Sequence, residues 1–261
     1  MEESIQENVS ASVGDEKEAI QAPPPVKKHT VKGLIKDMWP AYLIEIFVII
    51  LGISITLALE EWRDNNRENH LEQIYLKNLL TDVEVDMKSL KNVILNTQNI
   101  LSHGNELLGF VRDQQGKDIS SSRMDGDVRA ILGRPKFFSS DATFSDLKSS
   151  GNLHLLKDIQ LKNMLFAYYS QTQNIKEMQD AEQQATITLS GGYFLKRFPL
   201  ADSNALTPAL GQDEISNLLK NFEFDNNVRL RVLNRDELLE VYQIADSLAA
   251  QIKIELGRKI E

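Results

Sequence analysis

The sequence predicts an all-α protein: a single transmembrane helix followed by a long helical stalk and a soluble helical bundle. Three observations carry that expectation. Ala41 to Leu59 gives nineteen residues with one formal charge, Glu45. Residues 76 to 108 then repeat apolar positions at steps of 3 and 4, and two later stretches, beyond Asp158 and beyond Asn226, do the same. The domains expected are a disordered acidic tail (1–30), a basic juxtamembrane segment with the span (31–62, span 41–59), and a helical bundle (63–261).

Residues up to Pro23-Pro24-Pro25 are polar and acidic, with almost nothing to bury, so the entropy lost on ordering them would go uncompensated. The positive charge follows at Lys27, Lys28, Lys32 and Lys36. The next nineteen residues, at ~1.5 Å rise each, reach about 28 Å, close to the ~30 Å hydrocarbon thickness of a bilayer. Trp39 and Trp62 flank them, as amphipathic rings do at a lipid–water boundary. A cleaved signal peptide is the competing reading. The run is too long for an h-region, and Glu60-Glu61-Trp62 is no small-residue cleavage site. Four lysines before the span against Arg63, Arg67 and the more distant Lys77 after it put the N-terminus in the cytoplasm and residues 63–261 outside it.

Within the span, 100° per residue places Glu45, Gly52 and Thr56 on one face. A glycine beside a polar residue admits a second helix, and a carboxyl group in lipid seeks a hydrogen-bond partner, which makes this a candidate self-association face. The plainer alternative is that Glu45 lies near the cytoplasmic boundary and snorkels to water.

Beyond Trp62, Leu76, Leu80, Val83, Met87, Leu90, Ile94, Thr97, Leu101 and Leu108 follow heptad steps, with Gly104 filling one slot. Leu79, Val93, Ile100 and Leu107 widen the stripe, which suits an intramolecular bundle better than a two-stranded coiled coil. Residues 112–126, with three serines and two glycines, read as a loop, followed by a short helix from about Asp127 to Leu132. Gly133-Arg134-Pro135 ends it, and Ser140 or Asp141 caps another short helix that Gly151 closes. A longer helix starts near Asp158 with an apolar face of Leu161, Met164, Leu165, Tyr168, Ile175, Met178, Ala185 and Leu189. It is expected to end at Gly191-Gly192, with Tyr193 to Phe198 extended. After a loop over 199–211, a short helix from Asp213 to about Lys220 precedes the last long helix, about Asn226 to Arg258, with Leu238, Val241, Ala245, Leu248, Ile252 and Leu256 inward.

Charge and chemistry exclude several classes of function. The net charge of −9 divides into 5 basic against 10 acidic residues up to Trp62 and 24 against 28 beyond it, with no basic stripe for nucleic acid. The absence of cysteine removes disulfides, thiolate ligands and a cysteine nucleophile. His29, His70, His103 and His154 form no two-histidine zinc motif. His103 and Glu106 make one His-x-x-Glu pair where a di-iron bundle needs two, so they read as a surface pair. Asp82, Glu84 and Asp86 read as a solvated flank. No catalytic residue, metal site or cofactor is expected, and the protein reads as no enzyme.

The segments EIFVIILGISITLALEEW (45–62), YLKNLLTDV (75–83) and TFSDLKSSGNLHLLKD (143–158), followed by Tyr168-Tyr169, resemble an uncharacterised family of single-span bacterial membrane proteins, a domain of unknown function found mainly in Gram-negative gliding and gut lineages. The likeness runs from about Trp39 to Glu261. The family usually has Gln at the position of Ala58 and Asn at those of Glu60 and Glu61, so a polar ladder leaving the membrane is altered here. What the resemblance implies is architecture and a bacterial inner-membrane location. The third segment reads as a packing corner, with Asn152 bonded to local backbone, or alternatively as a ligand or partner site built on Thr143, Ser149, Ser150 and Asn152. The function expected is a membrane-anchored interaction, scaffold or sensor protein. Its partners would be membrane lipid, a second copy through the span or stalk, and an unknown protein, but no nucleic acid. The alternative is a tethered small-molecule-binding or hydrolytic domain.

Overall fold

A computed structural model describes residues 31–113, 119–197 and 211–260. The expected acidic tail and most of the loop over 199–211 lie outside them. Every regular element among the described residues is helical. The chain divides into two compact units, residues 1–61 and 62–261.

Helix α1 runs without interruption from Val31 to Asp113. It therefore begins ten residues before the expected span and passes through Pro40, whose ring removes one backbone donor. In the first unit, every described residue from Tyr42 to Glu61 is exposed, including Ile44, Phe47 and Ile55. Among the described residues, one helix is long and apolar enough to cross a membrane.

In the second unit the same helix becomes one-sided, as the heptad steps predict. Leu76, Leu79, Val83, Leu90 and Val93 are buried, with Thr97, Ile100, Leu101 and Leu107 continuing the stripe. Gly104 has a structural reason: a Cβ there would lie 2.5 Å from Val232 Cγ2, so the missing side chain lets residue 232 close against α1.

Helix α2 spans Ser121–Ile131, beginning six residues earlier than expected. Of the serines expected in a loop, Ser120 is its cap, Oγ accepting the Arg123 amide at 3.2 Å, and Ser121 and Ser122 open the helix, while buried Met124, Val128 and Ile131 supply the spacing that favours a helix over a loop. Helix α3 (Ala142–Ser149) ends at Gly151, whose φ of 76° is the left-handed conformation that terminates a helix at little cost to glycine. A 3₁₀ turn, Asn152–His154, leads to α4 (Ile159–Ala185), capped by Asp158, which accepts the amides of Gln160 and Leu161.

Two expectations fail after Ala185. The helix does not stop at Gly191-Gly192: a π turn, Thr186–Gly191, joins it to α5 (Gly192–Arg197), so residues 193–197 are helical rather than extended. The wider turn also rotates the face. Ser190 is buried while Leu189 is 60% exposed, and Tyr193 and Phe194 become the apolar anchors instead. Helices α6 (Gln212–Leu219) and α7 (Phe222–Lys259) complete the chain. Asn221 caps α7 through the amides of Glu223 and Phe224, which starts it four residues before the expected boundary.

Among the described residues, the buried apolar side chains form two clusters. The first joins α1, α3, α4 and α7 through residues such as Leu79, Leu147, Leu165, Tyr168, Tyr242 and Ile252. The second gathers Leu107, Met124, Ile131, Phe194, Ile215, Phe224 and Val228.

Candidate functional site

Between α2 and α3 the chain runs without helical hydrogen bonds, so its backbone groups need partners from elsewhere. Side chains of three long helices supply them. At the α2 end, Arg231 donates from Nε to the Ile131 carbonyl at 2.9 Å, and from Nη2 to the carbonyls of Ile131 (2.7 Å) and Gly133 (3.1 Å). Arg235 Nη2 adds a bond to the Gly133 carbonyl at 3.1 Å. In the middle, Gln179 receives the Phe137 amide at 2.7 Å and donates to the Phe137 carbonyl at 3.0 Å, while Tyr242 donates to its Oε1. At the α3 end, Asp86 accepts the Ser140 amide at 2.7 Å, Asp82 accepts that of Thr143, and Tyr169 donates to the Ser140 carbonyl. The segment is a strap fastened by polar staples.

Asp86 is fully buried, so the solvated-flank reading of Asp82, Glu84 and Asp86 fails for this residue. Burial pushes its carboxyl group above the usual range, opposed by the hydrogen bond from Tyr168 at 2.7 Å and by the Ser140 amide. The Tyr168 hydroxyl is itself driven up, by burial first and the facing carboxylate next. Arg231 and Arg235 are both 1% exposed and share one counter-charge, Glu182. Desolvation lowers Arg231 to about 10 and Arg235 below its ordinary value, which leaves Arg231 charged at neutral pH.

Against the outer side of this strap lies a recess of about 540 Å³. Five of the eighteen aromatic residues line it: Phe137, Phe138, Phe144, Phe166 and Tyr169. Phe144 stacks on Tyr169 with centroids 4.4 Å apart and meets Phe166 edge-on at 5.1 Å. Lys148, whose ammonium stands 5.7 Å from the Phe144 centroid, Lys176 and Asp141 add charge to the walls. Phe138 is 73% exposed.

The four residues picked out at the corner do not line this recess. Ser149 and Ser150 donate to the Asp146 carbonyl of their own helix, at 3.3 and 2.7 Å. The Thr143 amide meets Asp82, and Asn152 bonds not local backbone but the Tyr75 hydroxyl at 2.9 Å, which in turn donates to Asp146. The recess occupies the opposite flank of α3, walled by Phe144, Ser145 and Lys148. In the first unit, Glu45, Gly52 and Thr56 are exposed, with the Thr56 hydroxyl bonded to the Gly52 carbonyl at 2.9 Å and nothing within 4 Å of a Cβ at Gly52.

His103 and Glu106 are joined by a residue that spacing could not reveal. Asp127 of α2, with a side chain 1% exposed, lies 2.6 Å from His103 Nδ1, and Arg123 pairs with both Glu106 and Asp127. The staples were likewise missed, since their partners are separated by 29 to 102 residues and share no periodic signature, and the recess was missed because it gathers residues from separate elements. A weak signal existed in arginine and glutamate at inward positions of otherwise apolar faces. No family model, curated protein or solved structure matches this chain.

Proposed function

We propose that this chain is a single-pass membrane protein of the bacterial envelope, N-terminus in the cytoplasm, that acts by binding as a scaffold or sensor rather than by catalysis. The observation that carries the anchoring is the helix over 42–61, whose large apolar side chains face outward on every side. Each one left in water forgoes ~1.5–3 kcal/mol of burial, and lipid is the solvent that supplies it. The flanking tryptophans, the lysine excess before the span and the resemblance to the single-span family support the same reading. Sodium carbonate at high pH should leave the full chain in the vesicle pellet, and release of intact protein would end the proposal. A phosphatase fused after Glu261 should be active, and a silent phosphatase with a fluorescent counterpart would reverse the sidedness.

A second reading concerns what is bound. The aromatic recess falls within the ~300–1,000 Å³ typical of small-molecule sites and sets its five rings among polar and charged side chains such as Asp141, Lys148, Gln173 and Lys176. It supports a ligand or peptide anchor beside α3. Phe138→Ala should leave thermal stability almost unchanged, because that ring is mostly in water, while weakening capture of the protein's partner. An interaction that survives both this change and Lys148→Gln would place binding elsewhere.

A further inference from the structure

We propose that His103, Glu106 and Asp127 form a site for a divalent transition-metal ion, with Arg123 holding the site closed when the ion is absent. His103 and Glu106 stand three apart on α1, which puts both on one side of the helix. Asp127, from α2, completes the set. One ligand atom from each, the imidazole nitrogen and two carboxylate oxygens, lies within 4.8 Å of the others. His103 Nδ1 and Asp127 Oδ1, now 2.6 Å apart, would part slightly to share a tetrahedral zinc with bonds of ~2.0–2.2 Å, and the third ligand reaches it by a modest rotation. Glu106 is the group free to make it, its side chain being 39% exposed. One imidazole and two carboxylates leave a fourth position for water, the open form of a zinc site.

Charge points the same way. Two carboxylates face a single guanidinium, and one of them, Asp127, has a side chain only 1% exposed. A divalent ion cancels both carboxylates. The Arg123 side chain is 53% exposed and sits at the edge of the cluster, so it can swing into solvent without leaving a buried cation behind. The buried Arg231 and Arg235 have no such exit. Arginine and metal therefore compete for the same oxygens.

That competition yields a signature a purely structural ion cluster would lack. The full-length, tag-free protein is stripped with chelator and titrated with zinc by calorimetry, and cobalt absorption reports the coordination. Wild type is expected to take one ion per chain with a tetrahedral cobalt spectrum. His103→Gln should weaken zinc by at least about tenfold, and Arg123→Ala, which removes the competitor, should strengthen it by a similar factor. His154→Gln should leave it unchanged. The absence of saturable binding, equal affinity in His103→Gln, or an Arg123→Ala variant that still unfolds at the wild-type temperature but binds no better, would each overturn the proposal.

Discussion

The two ends of the strap between α2 and α3 are fastened by opposite charges. At the α2 end the unpaired groups are carbonyls, at the negative pole of a helix, and they are met by Arg231 and Arg235. At the α3 end they are amides, at a positive pole, and Asp86 and Asp82 meet them. The difference lies in how the charge is then tolerated. Asp86 is surrounded by neutral donors, an amide and a tyrosine hydroxyl, whereas the two guanidinium groups share one carboxylate, Glu182, as their counter-charge. A buried anion can be satisfied by dipoles alone. A pair of buried cations needs a counter-ion.

The largest expected effect separates those cases. Glu182→Gln removes the counter-charge from two buried guanidinium groups and should lower stability by ~3–5 kcal/mol, read as the unfolding midpoint of the full chain in detergent. A loss under ~1 kcal/mol would mean that the arginines are hydrated and the contrast fails. Next comes Tyr168→Phe, which strips a donor from Asp86 and should cost ~1–3 kcal/mol. Asp82→Ala removes a longer hydrogen bond, 3.3 Å, at a half-buried site, and about 0.5–1.5 kcal/mol is expected.

The smallest effect at neutral pH should come from Asp86→Asn, within ~1 kcal/mol, because the amide oxygen still accepts the Ser140 amide, the new NH2 can donate to the Tyr168 hydroxyl oxygen in place of the bond Asp86 accepts, and the desolvated charge is shed. Its pH dependence sharpens the comparison. The folded-state pKa of Asp86 is raised above the unfolded value near 3.8, so the native state holds the proton more tightly. Its contribution is fully present below the unfolded value and is lost as pH rises through the folded one. Wild type should therefore lose stability relative to Asp86→Asn as pH climbs from about 4. A difference that grows in the other direction would show that hydrogen bonds to the carboxylate outweigh burial.

What the sequence revealed follows from the range of each signal. Heptad steps over 76–108, the helix start near Asp158 and the inward face from Leu238 to Leu256 are local signals, and each is found where expected. The π turn was hidden because Ala185 and Leu189 keep a helical spacing that only Tyr193 and Phe194, packing further on, override. Asp82, Glu84 and Asp86 looked like a wet flank since nothing in their own neighbourhood announces Ser140 or Tyr168. The recess arises where Phe137 and Phe138 meet Phe166 and Tyr169 across elements, a convergence that periodicity does not encode.

The strap has a consequence for the order of events at the ribosome. Its first carbonyls are made about a hundred residues before the arginines that satisfy them. Until α7 has emerged, those carbonyls can turn only to water, so the polypeptide leaving the exit tunnel cannot lock its domain piece by piece. Maturation waits for the last helix, and a nascent chain stalled before residue 231 should be open to protease at the strap while one released at full length is not.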